Sequence, residues 1–125
     1  MKSNWIEHQG RRILYMDLSG FKENLPAFEA ELNEAVATVG QEMYKQPLRS
    51  VLVMVDLRNT VMTQKVQTMI SDRITDTRKY VLRTAVIGMT GIRRAFLDFF
   101  SRLAGSDTGA FDEPEAAKNW LIRPK

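Results

Sequence analysis

The chain has 125 residues, a net charge of +3 and no cysteine, so it is one domain's worth of polypeptide. Its core must form without disulfides, and thiolate nucleophiles and Cys-based zinc sites are excluded. With His8 as the one histidine, metal chemistry has little to work with, and neither a metal nor a cofactor is expected.

The charge is unevenly placed. Residues 1–44 carry four Lys/Arg against seven Asp/Glu, residues 45–103 carry eleven against four, and residues 104–125 carry three against four. A basic middle suits phosphates, acidic proteins or anionic headgroups, although scattered arginines also make an ordinary solvated face. No nucleic-acid motif or interleaved aromatic pattern is present, so nucleic acid is not an expected partner. No apolar run approaches the roughly 18 residues a membrane span requires, and the opening Met1-Lys2-Ser3-Asn4-Trp5 lacks a hydrophobic signal region. A cytoplasmic location is therefore expected, with peripheral contact at the inner membrane as its variant.

Two short strands are predicted first, Trp5 to His8 and Arg12 to Leu18, with Gln9-Gly10 as the turn of a hairpin. Pro26 suits the first turn of a helix, and Phe28, Leu32, Ala35, Val36, Val39 and Met43 recur at helical spacing. Glu29, Glu31 and Glu34 fall off that stripe. Gln46-Pro47 ends the helix, and Val51-Leu52-Val53-Met54-Val55, apolar on both faces and closing on Asp56, reads as a central parallel strand. A second amphipathic helix is expected from Thr63 to Tyr80, facing Val66, Met69, Ile70 and Ile74 inward.

Next, Thr84-Ala85-Val86-Ile87-Gly88-Met89-Thr90-Gly91-Ile92-Arg93-Arg94 reads as strand, tight turn and helix, the helix running from Ile92 to about Ala104 before Gly105. A last strand near Gly109 to Phe111 leads into Asp112-Glu113-Pro114-Glu115, an Asp-x-x-Glu variant of the capping box, and a final helix packed by Ala116, Ala117, Trp120 and Leu121. The order β-β-α-β-α-β-α-β-α defines a single α/β domain over residues 1–125, with a mainly parallel sheet of about five strands and about four helices.

This order, together with Val53-Met54-Val55-Asp56-Leu57 before a helix, Val86-Ile87-Gly88-Met89-Thr90-Gly91, and Phe111-Asp112-Glu113-Pro114-Glu115-Ala116-Ala117-Lys118-Asn119-Trp120-Leu121, resembles the SpoIIAA-like proteins. These are bacterial relatives of the STAS domain, with a fold likened to CRAL-TRIO lipid carriers. The resemblance covers nearly the whole chain and implies a right-handed βα superhelix with a regulatory or ligand-binding role and no catalysis. Anti-sigma-factor antagonists carry a phosphorylatable serine in an Asp-Ser pair at the helix after the central strand, and this sequence has no such pair there. Thr60 and Thr63 lie nearby as candidate phosphorylation sites, while Thr63 also suits a plain N-cap.

In open α/β sheets ligands favour the carboxyl ends of the strands, where two loops are chemically suggestive, Asp56-Leu57-Arg58-Asn59-Thr60-Val61-Met62-Thr63 and Gly88-Met89-Thr90-Gly91. The sequence therefore places a binding site at Gly88, Thr90, Gly91 and Arg93, where the free N–H groups of a helix start and a cation could hold an anion. On the helix 92–104, Leu97 and Phe100 widen the apolar arc beyond what one sheet needs, so a ridge beside Arg93 could take the tail of a small amphipathic anion, a protein partner, a second copy in a homodimer, or an anionic membrane surface. A turn and a cap explain Thr90-Gly91 equally well without a ligand. Acid–base chemistry would have Asp56, His8 or Tyr15 to draw on, but no nucleophile and base stand at a recognisable spacing, and no catalytic residue is assigned.

Overall fold

The computed structural model describes residues 3–88, 98 and 107–124. Five strands form one sheet in the order of the sequence: β1 (Asn4–His8), β2 (Arg11–Asp17), β3 (Val51–Asp56), β4 (Val81–Ile87) and β5 (Asp107–Phe111). β1 pairs antiparallel with β2 through a tight turn in which Gln9 and Gly10 both have positive φ, and every later pairing is parallel. The expected α/β fold with a mainly parallel sheet is what forms. Three α-helices are described: α1 (Leu25–Ala37), α2 (Gln64–Ile74) and α3 (Pro114–Leu121). The helix read over 92–104 lies outside the described residues except for Asp98, which is helical and exposed.

The alternation along β2 sorts the two faces. Leu14, Met16 and Leu18 join Val53, Val55 and Leu57 beneath α1 and α2, where Phe28, Leu32, Val66 and Ile70 complete the larger core. Ile13 and Tyr15 point the other way with Leu52, Met54, Ala85 and Ile87, and α3 covers them with Ala117 and Leu121. β3 has partners on both edges and helices on both faces, which is why all six of its residues are buried and why its sequence runs apolar without a break.

Four local expectations change. The first helix is shorter than its apolar stripe: it stops at Ala37, and a 3-10 segment follows over Val39–Lys45. The Thr38 hydroxyl donates to the Glu34 carbonyl and the Gln41 amide to that of Val36, which satisfies the end of α1 and lets the chain tighten while Met43 still reaches the core. The second helix likewise stops at Ile74, and Arg78–Tyr80 form a separate 3-10 turn. Glu31, off the apolar stripe, still packs inward. It is buried and accepts the Ser3 hydroxyl, which in turn accepts the Asp17 N–H, so the start of the chain is tied to α1 and to β2. Last, α3 starts on Pro114 with Glu113 at the N-cap position, one residue later than the Asp-x-x-Glu box requires, and Ala116 is exposed.

The carboxyl end of α3 is held from the sheet. Arg83 of β4 donates to the carbonyls of Leu121, Arg123 and Pro124, and its guanidinium lies 5.9 Å from the Trp120 ring. A cation at a helix carboxyl end meets otherwise unpaired carbonyls and the negative end of the helix dipole.

Candidate functional site

At their carboxyl ends the parallel strands bring Asp17, Asp56, Gly88 and Phe111 to one edge. Asp17 and Asp56 are register partners across β2 and β3, and the Gly88 N–H donates to the Phe111 carbonyl at 3.2 Å. Asp56 has no solvent-exposed surface. A buried carboxylate is tolerated only when donors replace the water it gives up, and here the replacement is complete. The Tyr15 hydroxyl donates to Oδ2 at 2.7 Å, the Arg58 backbone N–H to Oδ1 at 3.1 Å, Arg58 Nε to Oδ1 at 3.0 Å, and Arg58 Nη2 to Oδ2 at 2.7 Å.

Titration follows from this geometry. Burial pushes the Asp56 carboxyl up, but the bonds from Arg58 and Tyr15 more than cancel that effect, and its pKa falls below the ordinary value. Burial together with the hydrogen bond to Asp56 raises the Tyr15 phenol. Asp56 also raises Arg58, which stays protonated. The unit is a fixed ion pair with a neutral phenol attached.

The guanidinium offers two forks. Asp56 occupies the one formed by Nε and Nη2, while Nη1 has no hydrogen-bond partner among the described residues, and the Arg58 side chain remains 43 % exposed. An open fork on a braced guanidinium suits bidentate recognition of a carboxylate or phosphate.

Gly88 supplies the other wall. Its φ is +87°, and a Cβ built on it would lie 2.6 Å from Arg58 Cγ and 2.8 Å from Arg58 Cα and N. The strand end therefore packs directly on Arg58, and only glycine permits both the backbone conformation and the approach. Of the predicted binding residues, Gly88 is thus at the edge where it was placed. Thr90, Gly91, Arg93, Leu97 and Phe100 lie outside the described residues. Arg58 was not assigned as a binding residue, although it lies in the Asp56–Thr63 loop, one of the two strand-end loops the sequence marks as chemically suggestive.

The remaining candidates have structural duties. The Thr60 hydroxyl donates to the Leu18 carbonyl at 2.7 Å and accepts the Phe21 N–H, joining two loops. Thr63 caps α2 by accepting the Val66 N–H at 3.2 Å. A cavity of about 150 Å³ bordered by Lys22, Asn24, Thr60, Thr63 and Lys65 lies between the starts of α1 and α2. His8 is half-buried and hydrogen-bonds with Asn119 at 2.8 Å. A second cavity of about 70 Å³ lies under α1 and α2, lined by Leu14, Met16, Val53, Val55, Ile70 and Ile74 among others. It is on the sheet face opposite Tyr15 and Asp56. Among the described residues no cluster of His, Asp and Glu could hold a metal ion, and no helix is long and apolar enough to cross a membrane.

Comparison places the architecture: the fold is SpoIIAA-like. A crystal structure of an uncharacterized protein from Shewanella loihica PV-4, of the DUF3478 family and with a SpoIIAA-like fold, superimposes with a TM-score of 0.72 over 96 % of this chain and 92 % of that one, at 10 % sequence identity. No family model and no curated protein matches the sequence. The particular function has to be argued from the site.

Proposed function

We propose that the chain is a non-catalytic ligand-binding module of regulatory type that takes a small amphipathic anion at the carboxyl edge of the sheet, its carboxylate or phosphate head meeting Arg58 beside Gly88. The observation that carries this reading is the braced guanidinium: a fully buried Asp56 holds one fork, and Nη1 is left without a partner among the described residues. A ligand would not have to organise the side chain, because Asp56, Tyr15 and the close Gly88 backbone already do so. Asp56 balances the charge of Arg58, so Arg58 contributes donor geometry, and Arg93, five residues beyond Gly88, is the cation assigned to supply net attraction.

The same features weigh against acid–base catalysis. Both oxygens of Asp56 are engaged, and Tyr15 is pushed away from neutral titration by burial and by the carboxylate it serves. Calorimetric titration with octanoate and octyl phosphate tests the proposal. One saturable site is expected, weakened at least about tenfold in Arg58→Gln, the size of one lost charge-assisted hydrogen bond. Arg93→Ala should weaken it as well. If a folded Arg58→Gln protein binds either probe as tightly as the parent, Arg58 is not the receptor and the reading fails.

A further inference from the structure

Three large apolar side chains stand out as exposed among the described residues, and two of them, Tyr44 and Leu48, fall in one short stretch; Leu48 is 65 % exposed and Tyr44 46 %. This stretch enters β3 at its amino end, far along the strands from Asp56. It is not a loose loop. The Arg49 N–H donates to the Lys79 carbonyl at 3.1 Å and the Ser50 N–H to that of Tyr80 at 2.9 Å, which ties it to the 3-10 turn that enters β4. Tyr44 meets Tyr80 edge to face at 5.7 Å, and the Lys79 ammonium lies 5.5 Å from the Tyr80 ring centre. The two entering segments therefore make one surface on which Lys45, Pro47, Leu48, Arg49, Arg78 and Lys79 are all exposed. Against Lys45, Arg78 and Lys79 stands the exposed Asp76, while Glu42 is already paired with Arg12 at 2.8 Å.

A single exposed leucine is unremarkable in a folded protein. Here the leucine stands between a proline and an arginine, in a stretch whose backbone is hydrogen-bonded to the Lys79-Tyr80 segment and whose neighbours in sequence include the exposed Tyr44 and Lys45. We infer that this edge docks on an anionic bilayer surface, Leu48 entering the interface and Lys45, Arg78 and Lys79 facing the headgroups. Charge complementarity and a shallow apolar tip with interfacial tyrosines are what reversible adsorption requires. A protein interface of standard size instead needs an extended apolar centre. The inference is independent of the Arg58 site, which lies at the opposite ends of the same strands.

Flotation of the full chain tests it, with phosphatidylcholine vesicles carrying about 30 % phosphatidylserine against phosphatidylcholine alone, since each basic residue near such a surface contributes roughly a fivefold gain in partitioning. The protein is expected to float with the anionic vesicles and to stay behind with the neutral ones and in high salt. Lys45→Glu with Lys79→Glu should lower partitioning at least about 25-fold, and Leu48→Ser roughly tenfold, both with unchanged near-ultraviolet circular dichroism. The inference is overturned by absence of flotation, by equal flotation on neutral lipid, or by undiminished flotation of these folded variants. Loss confined to Leu97→Ser with Phe100→Ser would also overturn it, and capture of an acidic protein without any vesicle binding would replace the bilayer by that partner.

Discussion

The two ends of the parallel strands are built on opposite principles. At the carboxyl end polar groups are turned inward: Asp56 is wholly buried, Tyr15 and Arg58 spend their donors on it, and Gly88 presses against Arg58 at distances no side chain would allow. At the amino end the charges face solvent, and the ordering comes from backbone bonds between the segments that enter β3 and β4. The first end should therefore lose stability when its side chains are altered, and the second should not. A binding surface can thus be read at either end, but the amino end is the one whose side chains can be changed at little cost in stability.

The largest effect should come from Asp56→Ala. It leaves the Tyr15 hydroxyl and the Arg58 fork without their acceptor, and loss of one member of a buried pair costs about 3–5 kcal/mol, toward the lower figure here because Arg58 can turn to solvent. Urea unfolding would measure it. The pH dependence has a definite sign. An unfolded aspartate titrates near about 3.9, and in the folded protein this carboxyl lies lower, so its stabilisation is complete above that range and is lost as pH falls through the folded value. Asp56→Ala should remove that part of the acid-side slope, and an unchanged slope would show that other carboxylates account for it.

Gly88→Ala follows at about 2 kcal/mol, combining a left-handed backbone conformation with a collision against Arg58 backbone that no rotamer change relieves. The substitution also sharpens the comparison between the ends, since it should displace Arg58 and weaken octanoate binding while leaving vesicle flotation untouched. A variant as stable as the parent would mean that the strand end does not need its close approach.

How far these features could be read in advance depends on whether their causes are local. The continuous apolar run Val51–Val55 can only be a strand buried on both faces, and the hairpin follows from Gln9-Gly10, so the sheet was legible. Gly88 was recognisable as a turn residue, but the reason for it was not, because the atoms it would strike belong to Arg58, thirty positions earlier. The Tyr15–Asp56 bond likewise joins residues 41 apart and exists only through the register of β2 on β3. Glu31 lies off the apolar stripe of its helix, yet it is buried because Ser3, 28 residues away, meets it. Nor does helical periodicity register an end satisfied by side chains, so the stripe through Met43 hid the change to a 3-10 segment after Thr38.

The smallest effect on stability is expected from Leu48→Ser. The side chain is 65 % exposed, so little transfer free energy is at stake on folding, and surface changes of this kind stay within roughly 0.5 kcal/mol. The Arg49 and Ser50 N–H bonds that order the stretch are backbone bonds and persist whatever side chain stands at 48. A near-zero change in urea midpoint alongside a roughly tenfold loss of vesicle partitioning would separate a residue kept for an external surface from one kept for the fold. If Leu48→Ser instead unfolded as readily as Gly88→Ala, the side chain would be serving the interior after all, and the contrast between the two ends of the sheet would collapse.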